Sequence, residues 1–365
     1  MKIAMFYHSL ISDWNHGNAH FLRGIATELV RRGHEVRVFE PTDSWSRNNL
    51  VSEYGEGPVR EFKQHYPLIQ SIRYDRLDFR QALKQADLVI VHEWNTHELV
   101  RRIGEERPRG CVLLFHDTHH RAVTDPHQIS AYALANYDGV LAYGKALRDI
   151  YLCKGWTRRA WTWHEAADTR IFQPVKNRRP THDLVWIGNW GDDERTAELK
   201  EFLIKPVKAL KLKARVYGVR YPLEARQLLA RAGIDYYGWL PNYNVPEVFS
   251  QNKVTIHIPR RPYVEALRGI PTIRPFEALA CGIPLICSPW HDDEQLFSPG
   301  KDLLIARDGR EMTRNLHALL ADKSMARELA EHGLQTIRSR HTCAHRVDEL
   351  FDIYKEVKSN GCIPV

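Results

Sequence analysis

Glu277 is the side chain best placed to do chemistry, because it sits on a short helix squeezed between two turns. The stretch Gly269-Ile270-Pro271-Thr272-Ile273-Arg274-Pro275-Phe276-Glu277-Ala278-Leu279-Ala280-Cys281-Gly282-Ile283-Pro284-Leu285-Ile286 carries it. Thr272 is expected to cap this helix, and Pro275 falls in its first turn, where a missing N–H costs nothing. Unpaired backbone donors and the positive dipole end, with Thr272 and Arg274 beside them, then suit a diphosphate. Glu277, one turn in, is an acceptor-only carboxylate able to take hydrogen bonds from both hydroxyls of a ribose. Gly282 and Pro284 end the helix and open the apolar strand Leu285 to Cys287. By residue type alone the stretch also reads as an amphipathic helix before a buried strand, with Glu277 solvated.

Two further groups carry reactive side chains. Arg260 and Arg261 follow the expected strand Val254 to Ile258, at a sheet's carboxyl end. A fixed guanidinium there stabilises the negative charge of a bound phosphate better than water does. His116-Asp117-Thr118-His119-His120 follows the expected strand Val112 to Phe115. Imidazoles and a carboxylate are ordinary zinc or iron ligands, but the spacing lacks a defined tetrahedral set, so no metal is expected.

The elements that must position these groups alternate between short apolar strands and helical patterns, the signature of parallel sheets with crossover helices. At 365 residues the chain exceeds the size at which one core stops growing, so two domains are expected. In the first half the strands are Ile3 to Tyr7, Val36 to Phe39, Leu88 to His92, Val112 to Phe115, Val140 to Tyr143 and Trp161 to Trp163; a helix Ala19 to Arg31 closes at Gly33. Pro174 to Pro180, with Lys176, Arg178 and Arg179, reads as a linker. Beyond it come Leu184 to Ile187, a helix Glu194 to Leu203, Arg215 to Gly218, a helix Leu223 to Ala232, Tyr236 to Gly238 and Val254 to Ile258. Arg310 to Lys358 is helical, and Asp43 to His65 reads as a surface insertion of unassigned structure. The expected fold class is α/β: two Rossmann-like doubly wound domains with ligand sites facing across a cleft, and a helical tail.

Composition narrows the function. A hydrophobic share of 43%, with 10 Trp and 15 Tyr, excludes disorder. No apolar run reaches membrane-spanning length, and the start reads as a strand, so a cytoplasmic protein is expected. Cys111, Cys153, Cys281, Cys287, Cys343 and Cys362 are widely spaced without a C-x-x-C pair and read as reduced thiols. A net charge of +7 fits an anionic ligand or a peripheral contact with an anionic membrane face, and is too dispersed for nucleic acid.

In this order and spacing the pieces resemble a glycosyltransferase of the two-Rossmann-domain (GT-B) type, within the family-four-like group and most specifically its CgeB-like, spore-maturation branch. The N-terminal marks are His16-Gly17-Asn18-Ala19-His20-Phe21-Leu22-Arg23-Gly24 and Leu29-Val30-Arg31-Arg32-Gly33-His34-Glu35-Val36. Glu165-Ala166-Ala167-Asp168-Thr169-Arg170-Ile171-Phe172-Gln173-Pro174 marks the linker. Trp186-Ile187-Gly188-Asn189-Trp190-Gly191-Asp192-Asp193-Glu194-Arg195, the Glu277 helix and Arg340-His341-Thr342-Cys343-Ala344-His345-Arg346 complete it.

The resemblance implies an acceptor domain over residues 1–173, a linker over 174–181, a donor domain over 182–340 and a C-terminal helix, 341–365, docking back toward the first domain. It implies sugar transfer from a nucleoside diphosphate sugar, without a further cofactor, to an unidentified acceptor: a glycan, lipid-linked glycan, small molecule or protein. Glu277 takes the ribose; Gly188, Trp190, Arg195, Leu240 and Asn242 join Thr272, Arg260, Arg261 and Arg274 around the donor. His116 and Asp117 match the His-Asp position that contacts the donor sugar. The family's second glutamate, eight positions before Glu277, is here Gly269, with Glu265 nearby as a substitute. Gly17, Asn18 and His20 lie in the acceptor loop. Inverting relatives place a general-base histidine at position 18, and an amide is no base, which leaves His16 or His20 for that role or favours retention. His341 and His345, four apart, are expected to share a helix face beside Arg340 and Arg346. An epimerase of the same architecture and a catalytically silent nucleotide-sugar binder remain as alternatives.

Overall fold

The computed structural model describes residues 1–176 and 179–360. Arg178 of the expected linker and Cys362 lie outside them. The chain forms two compact units, one of residues 1–165 joined by the last segment from Cys343, the other of residues 166–342.

The first unit holds seven parallel strands: β1 (Lys2–Phe6), β2 (Glu35–Pro41), β3 (Ser71–Tyr74), β4 (Leu88–His92), β5 (Val112–Asp117), β6 (Gly139–Ala142) and β7 (Ala160–Thr162), in the order β3-β2-β1-β4-β5-β6-β7. The central strands are buried throughout and apolar up to their carboxyl ends, because helices cover both faces. Strand order reverses between β1 and β4, so the carboxyl ends of those two strands open a crevice. The helix Ala19–Arg31 follows β1, and Gly33 at φ 82° turns the chain into β2. The helix Cys343–Asn360 packs on it: Arg32 reaches Asp348 at 2.5 Å and the Ala344 carbonyl at 3.0 Å.

The second unit holds six parallel strands: β8 (His182–Ile187), β9 (Ala214–Tyr217), β10 (Ile234–Tyr236), β11 (Asn252–His257), β12 (Leu285–Cys287) and β13 (Leu304–Ile305), in the order β10-β9-β8-β11-β12-β13. Its reversal lies between β8 and β11. One layer of core gathers Leu184, Trp186, Val216, Ile256 and Met312, the other Val185, Phe249, Phe276 and Leu285.

Several elements differ from expectation. Ala167 and Phe172, placed in the first domain by sequence, belong to the second unit's core. The supposed insertion Asp43 to His65 is two helices, Trp45–Tyr54 and Gly57–His65, which bury Leu50 and Phe62; Gly55 at φ 72° separates them. The helix Glu194 to Leu203 is a run of short pieces, with a π turn at Lys200–Ile204 just before Pro206, whose missing N–H disfavours a regular turn. β3 and β13 carry too little apolar patterning to stand out. His341 and His345 do not share a helix: His341 ends the helix Lys323–Arg340, and the next begins at Cys343. Arg346 donates to the His164 carbonyl at 2.9 Å, which ties the returning helix to the segment after β7. Cys111, Cys153, Cys281 and Cys287 are free thiols. No helix among the described residues is long and apolar enough to cross a membrane.

Candidate functional site

The carboxyl ends of β8 and β11 gather the cations of the second unit. Arg195 donates to the Ile258 carbonyl at 3.0 Å and to Asn189, at 2.8 Å to its carbonyl and 2.5 Å to Oδ1, while its guanidinium lies 5.2 Å from the Trp186 ring. Arg260 shares Asn189 Oδ1 at 3.2 Å and pairs with Glu194 at 2.5 Å. Burial, then the charges of Arg260 and Arg274, pull the Arg195 pKa down to about 9. A bound anion beside this guanidinium would favour its charged form. Burial and the charges of Arg195 and Arg274 hold neighbouring His257 near 3 and therefore neutral.

Glu277 is fully buried on the helix Ile273–Ala280, so the solvated reading falls. Arg274, one turn before it, pairs with its Oε2, and Asn242 Nδ2 stands 3.4 Å from its Oε1. Asn242, 35 residues away in sequence, thus converges on the Arg274–Glu277 pair. Thr272 does not cap the helix: it is held at φ 59°, rare for a β-branched residue, and its hydroxyl lies 3.5 Å from His257 Nε2. Strained backbone of this kind concentrates at binding sites.

Gly188 follows β8 and its carbonyl accepts from the Tyr221 hydroxyl at 2.8 Å. Gly218 faces it so closely that a Cβ there would stand 2.0 Å from the Gly188 oxygen. Gly218→Ala should therefore push the Gly188–Asn189 turn aside and destabilise the second unit by about 1–3 kcal/mol; a denaturant midpoint equal to wild type would refute the close approach.

Other expected donor residues point elsewhere. Trp190 is a core side chain, edge-on to Tyr221 at 5.6 Å. Leu240 packs on the second core layer. Arg261 turns from Arg260 to pair with Glu198 at 2.9 Å. Gly269 adopts φ 88°, which a glutamate would not hold, and a Cβ there would meet Glu294, not Glu265, at 3.0 Å; Glu265 is exposed.

In the first unit the site lies at the β1–β4 reversal. Asn18 donates to the Thr118 hydroxyl at 2.6 Å and its carbonyl at 3.2 Å, and His92 Nε2 reaches the same hydroxyl at 3.0 Å. Gly17 is exposed and His20 is buried in the helix that follows. Asp117 accepts from the His119 backbone at 2.9 Å and the Tyr151 hydroxyl at 2.7 Å, and burial pushes its pKa up to about 6. His116 is fully buried between Trp163 and His92, neither ring nitrogen has a partner among the described residues, and burial holds it near 3.

Sequence reasoning missed His8, after β1, and His92, at the end of β4. The signal was the one used for His116, a histidine at a strand's carboxyl end. His8 and His16 lie 4.3 Å apart, with His92 6.0 Å from His8. Among the described residues no group of three or more His, Cys, Asp or Glu side chains is arranged to hold a metal ion.

Comparisons with known proteins agree with this architecture. Residues 17–170 match the model described as Glycosyltransferase Family 4, and residues 195–352 the one described as Glycosyl transferase-like. No curated protein matches the sequence. Among solved structures, sucrose-phosphate synthase from Thermosynechococcus elongatus is similar at TM-score 0.69 and 15% identity, covering 99% of this chain and 100% of that one. HepE from Anabaena, in complex with UDP and glucose, is similar at 0.65 and 14%, covering 98% and 100%. T4 phage BGT, in complex with UDP and Mn2+, is similar at 0.64 and 13%, covering 98% and 99%. These likenesses carry the GT-B fold, and the two family models, each matching less than half of the chain, make its two halves similar to glycosyltransferase domains.

Proposed function

We propose that the protein transfers a sugar from a nucleoside diphosphate sugar to an acceptor bound by its first unit. The observation that carries this reading is the gathering of Arg195, Arg260 and Arg274 at the carboxyl edge of the second sheet, beside the buried Glu277–Asn242 pair. The cations would hold the diphosphate and stabilise the leaving group as its charge develops. Glu277, already braced by Arg274 and Asn242, would accept from the ribose hydroxyls. Guanidinium groups supply that charge in this reading, with no resident cofactor. Retention fits better than inversion, because the Asn18 amide is a donor to Thr118 and no proton acceptor. Within the family, Trp186–Arg195 and Arg340–Arg346 favour the CgeB-like branch.

The test is calorimetry and turnover with UDP, GDP and dTDP and their sugars. One nucleotide should bind, UDP being the first to try since the similar structures hold it. Glu277→Gln should weaken it roughly 10- to 100-fold, the weight of a hydrogen bond to a charged group. Slow release of free nucleotide from one sugar donor completes the expected result. An unchanged affinity in the variant would remove Glu277 from the site, and no nucleotide response at all would overturn the reading.

A further inference from the structure

The second unit carries a cavity that its arginine cluster does not use. It lies at the amino ends of β11 and β12, beside Asn252 and Pro284, on the edge of the sheet opposite the one where Arg195 and Arg260 gather. Its volume, about 650 Å³, is that of a small-molecule site. Ile283 and Leu319 line it from the core side, the helix Lys323–Arg340 forms one wall, and Pro174 and Pro180 form another. The helical wall presents Ala326, Ala330 and Leu334, which stand four apart and therefore on one face. Two alanines in that row leave room that larger side chains would fill. Gly282, at φ 64°, sits where the walls meet: a Cβ there would stand 3.3 Å from Pro174 and 3.8 Å from Leu334.

Lining and charge together select the ligand. The apolar walls disfavour a nucleotide or a sugar, whose polar groups would leave water without finding partners. An alkyl chain has no such groups, and each methylene enclosed raises affinity about fourfold. Three cations also line the cavity, Lys253, Lys323 and Arg327, against one acid, Glu331. Lys253 is matched by Asp183 at 2.8 Å, and Arg327 stands 3.9 Å from Glu331. Lys323, which is exposed, has no ion pair among the described residues, so the rim keeps one unmatched positive charge. A single anionic head at the end of an apolar body complements that arrangement.

We propose that this cavity binds a free long-chain carboxylate, its alkyl chain lying among Ile283, Leu319, Ala330 and Leu334 and its head beside Lys323. The proposal stands apart from the glycosyl-transfer reading, since none of these residues belongs to the nucleotide site or to the first unit.

Calorimetry on the full chain tests it with decanoate, undecanoate and dodecanoate below their micellar concentrations, and with dodecylammonium and phosphatidylglycerol vesicles as contrasting probes. Dodecanoate should bind with a stoichiometry of one per chain, the shorter acids about fourfold more weakly for each methylene removed. Dodecylammonium, repelled by Lys323, should bind more weakly than dodecanoate. Ala326→Trp, which fills the cavity, should weaken dodecanoate roughly tenfold or more, the weight of about two enclosed methylenes. Lys323→Glu, at an exposed position that leaves the fold intact, should weaken it roughly fivefold by reversing one surface charge. A urea midpoint near that of wild type shows that each variant is folded, and should Ala326→Trp fail to fold, Lys323→Glu decides alone. Affinity indifferent to chain length, dodecylammonium binding as tight as dodecanoate, or dodecanoate binding unchanged in the folded variants overturns the proposal. So does binding to the vesicles without binding of dodecanoate, which would make this face a membrane contact, and so does the absence of any dodecanoate binding.

Discussion

Taking the protein from pH 6.5 to pH 5.5 should strip about 3 kcal/mol from the stability of its first unit. His8, His16, His92 and His116 are buried and neutral there, and burial holds His8 and His116 near 3 and the other two well below 6.5. In the unfolded chain all four take up protons below about pH 6.5, while in the folded unit the four imidazoles stay neutral across this interval. Acid therefore draws the equilibrium toward the unfolded state, by about 1 kcal/mol per histidine over that interval. Asp117 works in the opposite sense: its folded pKa of about 6 lies above the unfolded value of 3.8, so its penalty is relieved as the pH falls. It returns less than about 1 kcal/mol. Glu93, raised by burial against the pull of Arg121, acts in the same direction. Urea unfolding followed by hydrogen exchange at the β1 and β4 amides measures the slope; a profile flat across this interval would show that the imidazoles are solvated or charged in the native state.

Arg23→Leu should cost about 3–5 kcal/mol, the usual consequence of breaking a buried ion pair from one side. The guanidinium is almost wholly enclosed, with Asp13 at 2.8 Å, the Leu10 and Ile11 carbonyls at 2.7 and 2.8 Å, and the Phe62 and Tyr66 rings about it at 5.0 and 5.1 Å. Its removal strands a carboxylate in the interior and releases the loop that carries His8 and His16. A second variant separates the causes: Arg23→Leu with Asp13→Leu removes both charges and should recover a large part of the loss. Chemical denaturation of both variants decides it, and a single variant within about 1 kcal/mol of wild type would show that Asp13 reaches water.

The sequence was legible where periodicity and backbone chemistry speak together. The helix Ala19–Arg31 and the strand Leu88–His92 were expected at the residues where they stand, because apolar spacing and a terminal glycine or polar residue bound them. Asp43 to His65 was opaque because its helices bury few residues each and gain their place through contacts between distant segments, Ser46 with Ser12 in the first and Phe62 with Arg23 in the second. The donor residues divide in the same way. Glu277, Arg274 and Asn242 meet, whereas Trp190 and Arg261 turn away, and the spacing of a motif carries no information on side-chain direction when the core or an acidic neighbour competes for it. His8 and His92 stood in plain view, but each alone reads as an ordinary core histidine. Only the β1–β4 pairing, a long-range event, reveals them as neighbours.

The order of the units along the chain has a consequence for synthesis. The helix Cys343–Asn360 is made after the whole of the second unit, yet it is the partner of Ala19–Arg31 in the first. A nascent chain can finish its second unit while one flank of its first still lies bare. Ribosomal stalling or a premature stop before Cys343 would leave that helical face uncovered, a ready mark for chaperones and proteases to tell an interrupted product from a finished one.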